Sequence, residues 1–207
     1  FTDLAKASPS PHRHLDGLAV LTKNTPLAAT VVDTVRRHPS LLAQTALTIS
    51  HLSKGRFILG LGSGELENTV PYGFDFDKPV GRLEEAIKVI KLLWHAQGPV
   101  DFEGQFFHLH HARMDTEFHE GTPPPIWLGA AGPRMLAITG READGWWPAG
   151  SWTPEDYAAK LKVILDAGDA AGRDMSHFTP ALTQMCLIGE PDEIDEMLRA
   201  PMVKSII

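Results

Sequence analysis

The chain is predicted to be an α/β protein on a parallel sheet, and in particular a partial (β/α)8 barrel. Short apolar runs rich in β-branched residues alternate with longer segments of helical period, as strands joined by crossover helices do. One run, Phe57-Ile58-Leu59-Gly60-Leu61-Gly62, is apolar on both faces, as a parallel strand covered on both sides must be. Five such strands fit into the 207 residues, whereas a closed eight-stranded barrel takes about 250.

Residues 1–13, broken by Pro9 and Pro11, read as loop, and Leu15, Leu18, Ala19 and Leu21 space a short helix ending near Pro26. Residues 27–35 (LAATVVDTV) make a buried strand with Asp33 and Thr34 near its carboxyl end. Pro39 opens a helix, because its missing N–H would be unsatisfied in the first turn anyway. Leu42, Ala46, Ile49 and Leu52 give that helix one apolar stripe, and Lys54-Gly55 ends it. After the 57–62 strand, residues 63–79 form a loop with Pro71, Gly73 and Pro79 as breakers. Residues 80–95 repeat Leu83, Ile87, Ile90 and Trp94 at helical period, with Glu84 and Lys88 as a supporting pair.

Residues 97–123 are an insertion, with a small hairpin around Glu103-Gly104. Residues 126–129 form a strand, and Gly132-Pro133 opens a helix through Thr139. Residues 144–148 form the next strand, ending in Ala149-Gly150. Thr153-Pro154-Glu155-Asp156 caps a helix that stops near Gly172. Residues 179–188 are the last clear strand, and Pro191 starts an amphipathic segment.

Apolar residues at 43% and charged residues at 22% are ordinary globular values. A net charge of −7 argues against a general nucleic-acid or membrane-surface role, while local basic patches could still bind an anionic cofactor. No apolar run approaches the roughly 20 residues of a membrane span, and no basic stretch before an apolar core marks a leader. The one cysteine, Cys186, cannot form an intrachain disulfide and suits a reducing cytoplasm.

Chemistry gathers where strands end. Ser63, Gly64, Glu65 and Asn68 follow the 57–62 strand, the place where α/β proteins put polar groups to work. If the segment turns helically, Glu65 and Asn68 project to one side. The carboxylate is then a general acid or a substrate anchor, or else a solvated loop acid beside a capping amide. The run Gly60-Leu61-Gly62-Ser63-Gly64 matches neither GxGxxG nor a P-loop. Residues 129–133 (GAAGP) place small residues and exposed amides at a helix N-terminus, either an anion site or close packing of strand on helix. His108, His110 and His111 lack the Cys or acid spacing of a metal centre, and no metal is expected. Arg36 meets an anionic ligand or serves as an ion-pair partner, and of Trp146 and Trp147 one belongs in the core and the other at a pocket.

RRHP (residues 36–39), ALTISHLSKGRFILGLGSGELEN (46–68), GRLEEAIKVIKLLW (81–94), PPIWLGAAGPRMLAITGREADGW (124–146) and TPALT (179–183) together resemble the luciferase-like monooxygenase superfamily. Within it the chain is similar to the branch that uses the deazaflavin coenzyme F420, including mycobacterial-type ketoreductases. The resemblance covers most of the chain. It implies that residues 1–207 are one luciferase-like TIM barrel domain of about five central β/α units, with two strands before residue 1 and at least one after residue 207. Open sheet edges in such a piece would invite association.

The implied activity is hydride transfer between F420 and a small organic or lipid-like carbonyl or alcohol, in a cytoplasmic enzyme that is a homodimer at full length. Glu65 is the implied catalytic acid, with a carboxylate desolvated at the barrel mouth, and Asn68 is the amide beside the cofactor. Ala29-Thr30-Val31-Val32 falls where members bend a strand behind the cofactor ring, often with a non-prolyl cis peptide, and Ala29, Thr30 and Val32 are implied to bind the cofactor. Ala131, Gly132, Ala149 and Gly150 are implied to hold the cofactor phosphate. Ala149 stands where many relatives have a hydroxyl residue, so its contribution is main-chain only. The histidine or acid that many relatives carry after their second strand would precede residue 1. The alternatives are an FMN-dependent monooxygenase and a non-catalytic flavin-binding barrel relative.

Overall fold

The computed structural model describes residues 11–150, 152–183 and 187–199. Helix α1 (Pro11–Leu21) leads into β1 (Leu27–Asp33), α2 (Pro39–Ser53) and β2 (Phe57–Gly62). Then come α3 (Pro79–His95), a hairpin of β3 (Val100–Glu103) and β4 (His108–Ala112), β5 (Ile126–Leu128) and α4 (Pro133–Glu142). Strand β6 (Gly145–Trp146), α5 (Pro154–Ala170), β7 (Thr179–Pro180) and α6 (Pro191–Arg199) complete the order. The main sheet runs β1-β2-β5-β6-β7 with every pair parallel, so each connection is a crossover through a helix. Among the described residues the sheet is open, with β1 and β7 at its edges. No helix among them is long and apolar enough to cross a membrane.

The core lies between sheet and helices. Phe57, Leu59 and Leu61 of β2 and Ile126 and Leu128 of β5 are sealed under Leu42 and Ile49 of α2 and Leu83, Ile87 and Ile90 of α3. Each such side chain contributes about 1.5–3 kcal/mol by leaving water. Helix α2 ends as its sequence demands, with Lys54 at φ 56° and Gly55 at φ 77° while the Gly55 amide closes on Ser50 O at 2.8 Å. Thr153 caps α5, its Oγ1 accepting from the Asp156 amide at 3.1 Å.

Glu84 does not close on Lys88 but reaches across to α4, meeting Arg134 at 3.1 Å and Arg141 at 3.0 Å. Burial works against its charge, but hydrogen bonds from the two guanidinium groups and the nearby Lys88 charge outweigh it. Its carboxyl is therefore held below the usual range. The β3–β4 hairpin packs Phe107 and Leu109 on Ala86, Val89 and Leu93, and the Glu85 carboxylate accepts the amides of Gln105, Phe106 and Phe107 at its turn. His108 and His110 face Glu103 across it, at 2.9 and 3.5 Å.

The other sheet face carries two rows of side chains. In the lower row Gly60, Trp127 and Gly145 are in register, and a Cβ on Gly145 would lie 2.6 Å from the Trp127 ring. The indole thus occupies the space that Gly145 leaves, whereas the space over Gly60 is taken by the Ala29 carbonyl. In the next row a Cβ on Gly62 or Gly129 would lie 2.7 or 3.3 Å from Val31, so the valine is wedged between them. Trp147 leans on Trp127, their rings 5.6 Å apart.

Several sequence expectations shift. The 63–79 loop contains two 3-10 turns, Leu66–Asn68 and Val70–Tyr72, and α4 runs on to Glu142. Strands β6 and β7 are two residues each, shorter than the apolar runs suggest, because only the residues facing a neighbouring strand pair. Cys186 and the middle of the expected last strand lie outside the described residues.

Candidate functional site

A cavity of about 700 Å³ opens at the carboxyl ends of β1, β2, β5 and β6. A separate groove of about 590 Å³ between α2 and residues 113–117 lies away from the strand ends. There Arg113 meets Asp115 and His51 meets the Glu117 carbonyl, so its polar groups satisfy one another.

Strand β1 supplies the near wall through an irregularity. Ala29 pairs with Leu59, but the next matched pair is Val32 with Leu61, so β1 spends one residue more than β2 over this stretch. The Thr30–Val31 peptide is cis, within the segment where the resemblance implied one. The extra residue breaks strand alternation, and Thr30 and Val31 both line the cavity. Ala29 and Val32 do not reach it. They are 2% and 8% exposed and belong to the core, so against expectation their side chains are absent from the cavity lining. Gly60 makes the bulge possible, since a Cβ there would lie 1.9 Å from the Ala29 carbonyl oxygen.

Glu65 and Asn68 meet as their spacing implied. Glu65 Oε2 accepts from Asn68 Nδ2 at 2.6 Å, and both residues line the cavity. The buried Thr69 anchors the turn, its Oγ1 donating to the Glu65 carbonyl at 2.9 Å. Glu65 itself is exposed, against the expectation of a desolvated carboxylate, because it stands at the rim of the cavity rather than on its floor.

Beneath it Asp33 takes two roles at once. Its Oδ1 accepts the amides of Val35 (3.0 Å) and Arg36 (2.8 Å), and its Oδ2 accepts Arg36 Nε (2.8 Å) and Nη2 (2.6 Å). Arg36 is therefore an ion-pair partner, although it also lines the cavity. Burial pushes the Asp33 carboxyl up, but these hydrogen bonds and the guanidinium charge outweigh it and hold the group below its usual range. A lowered native value means the stabilisation is fully present above the ordinary carboxylate pKa of about 4 and is lost as pH falls through the native value. Asp33→Asn is expected to cost about 1–2 kcal/mol, discounted because Arg36 is 43% exposed. Denaturant unfolding at several pH values should show that gap shrinking below about pH 4.

The far wall is made of main chain. Trp146, fully buried and stacked on Tyr157 at 4.7 Å, donates its indole N–H to the Ala130 carbonyl at 2.8 Å. Lys160 Nζ donates to the Ala131 carbonyl at 3.3 Å, and the Trp152 indole N–H to the Ala149 carbonyl at 3.1 Å. The carbonyls are thus taken by side chains, while the amides of Ala130, Ala131, Gly132, Ala149 and Gly150 bond to no described residue. Gly132 precedes α4, whose first turn has no side-chain cap and begins with Pro133. Donors without acceptors beside a cavity are what an anion needs.

Of the residues expected here, Thr30, Glu65, Asn68, Ala131, Ala149 and Gly150 line one cavity, and Gly132 adjoins it. Trp147 lines it too, its indole N–H bonded to Thr183 Oγ1, and Trp146 is the core member of the pair. The sequence reading placed Val31 within the bent segment without singling it out, and missed Trp152 and Lys160. Gly62 and Gly129, two positions with no side chain on one face, were the signal for a neighbour such as Val31.

The luciferase-like monooxygenase family matches residues 5–205. A phthiodiolone/phenolphthiodiolone dimycocerosates ketoreductase of Mycobacterium tuberculosis is 40% identical over 207 residues, covering 99% of this chain and 54% of that protein. An F420-dependent glucose-6-phosphate dehydrogenase of Kineococcus radiotolerans is 33% identical over 179 residues, 79% of this chain and 52% of that protein. The solved coenzyme F420-dependent tetrahydromethanopterin reductase from Methanopyrus kandleri superposes with a TM-score of 0.74 at 25% identity, over 86% of this chain and 55% of that one. The chain spans about half the length of the curated relatives it matches. With this parallel sheet and a cavity at its strand ends, the chain belongs to the luciferase-like monooxygenase family.

Proposed function

We propose that the chain forms the cofactor-holding part of an F420-dependent oxidoreductase acting on a ketone or the matching secondary alcohol. One observation carries this reading: Ala130, Ala131, Ala149 and Gly150, whose amides have no acceptor among the described residues, line one cavity with a tethered carboxylate and an exposed aliphatic side chain. The names of the mycobacterial and Kineococcus relatives support a carbonyl or alcohol substrate and F420, respectively.

The residues present fit a ligand with a flat ring and an anionic tail. Val31, 44% exposed and braced by Gly62 and Gly129, offers an apolar surface for a ring to rest against. The amides of residues 130–132 and 149–150 hold a phosphate. The deazaflavin, with carbon where a flavin has N5, supplies two-electron hydride chemistry when bound. Asn68 occupies Oε2 of Glu65, which leaves Oε1 to hold and deliver a proton to the substrate oxygen. Asp33, ionised and saturated by Arg36, keeps the strand end in place and carries no proton.

The test is a fluorescence titration of the full-length protein with F420 and with FMN. F420 should bind at micromolar or lower concentration, and FMN at least about tenfold more weakly. Equal or reversed preference would move the protein to FMN-dependent monooxygenation, and binding of neither would leave a barrel relative without a flavin.

A further inference from the structure

Lys160 stands on α5, 29 residues beyond the turn it touches. Its half-buried side chain places Nζ 3.3 Å from the Ala131 carbonyl and 4.9 Å from the centroid of the Trp152 ring. Both are modest contacts for an ammonium, which has three donors and is best met by an anion. Among the described residues no carboxylate meets it. Asp156, one turn back on α5, accepts instead from Thr153 Oγ1 at 3.0 Å. Arg134, the cation in the first turn of α4, is held by Glu84 at 3.1 Å. Among the described residues, one positive charge without a counter-ion is therefore fixed at the Ala131 carbonyl, in the turn where the amides of Ala131 and Gly132 have no acceptor.

We propose that Lys160 is the counter-ion for the anionic tail of the bound cofactor, its ammonium meeting an oxygen of the phosphate that the 130–132 amides hold. Trp152 keeps the ammonium at that spot through its ring face, and its own N–H turns the Ala149 carbonyl away from the same anion. Opening the Lys160–Ala131 contact to make the new one costs little, because it exchanges a neutral acceptor for a charged one. This rests on the cofactor reading above and adds a side-chain charge where that reading had main-chain donors alone.

The test is equilibrium fluorescence titration of full-length wild type, Lys160→Met and Lys160→Arg, each first checked by thermal melting. The ligands are F420 and its phosphate-free deazaflavin riboside, at low and high salt. Lys160→Met should weaken F420 by on the order of tenfold or more, leave riboside affinity unchanged, and flatten the salt dependence seen in wild type. Lys160→Arg, which keeps the charge, should retain most of the affinity. Wild-type affinity for F420 in Lys160→Met overturns the proposal, and an equal loss for the riboside does so by making Lys160 a strap for the turn. Failure of the cofactor reading looks different, because wild type itself would then bind no F420. FMN and riboflavin are run as the matching pair in that event, and absence of a phosphate-dependent loss there also overturns the role of Lys160.

Discussion

Glu65→Gln in the full-length enzyme is expected to lower turnover by about 10²-fold or more, the lower end of what general acid–base groups contribute. The substitution keeps the shape of the side chain and an oxygen to accept from Asn68, whose Nδ2 lies 2.6 Å from Oε2. It removes only the ability to hold a proton. Cofactor affinity should stay within a factor of about two, about 0.4 kcal/mol, since the amides proposed to meet a phosphate belong to residues 130–132 and 149–150 and not to the 65–69 turn. Steady-state rates measured beside a binding titration separate the two effects. Intact turnover with a lower melting temperature would make Glu65 a structural acid that steadies the 65–69 turn.

Gly60→Ala should be the most damaging single methyl group in the sheet, costing about 3 kcal/mol or more. The added Cβ would sit 1.9 Å from the Ala29 carbonyl oxygen, and a backbone atom cannot rotate out of the way. Relief requires β1 and β2 to part at the bulge that brings Thr30 and Val31 to the cavity. Against a typical stability of about 5–15 kcal/mol, that loss should be visible as poor soluble yield or an early denaturant midpoint. Gly98→Ala is the control, because nothing lies within 4 Å of a Cβ there, and its stability should stay within about 0.5 kcal/mol of wild type. Equal stability of the two variants would mean that β1 does not approach β2 this closely.

The sheet and helices were legible because their signals are local. Pro39, Lys54-Gly55 and Thr153-Pro154 mark helix ends by backbone chemistry that tertiary structure has no reason to override. The cavity was legible in outline, since the ends of parallel strands are read from the strands themselves. Strand alternation, by contrast, tells inward from outward only while the register holds. One extra residue between Ala29 and Val32 was enough to exchange Val31 for its neighbours. Lys160 was illegible for another reason: the helix–strand–helix passage from α4 to α5 brings it to the 129–132 turn, and no local pattern records that return. The Glu65–Asn68 spacing placed the pair together, but burial at a rim depends on everything around it.

Trp127 fills the sheet face next to this cavity without lining it. Its indole takes the space that Gly145 leaves, one row below Val31, Gly62 and Gly129. A side chain at residue 145 would have to displace that ring, and Trp147, which leans on it, lines the cavity. A change beneath the cavity would therefore reach its lining at Trp147 and, through the indole N–H, at Thr183.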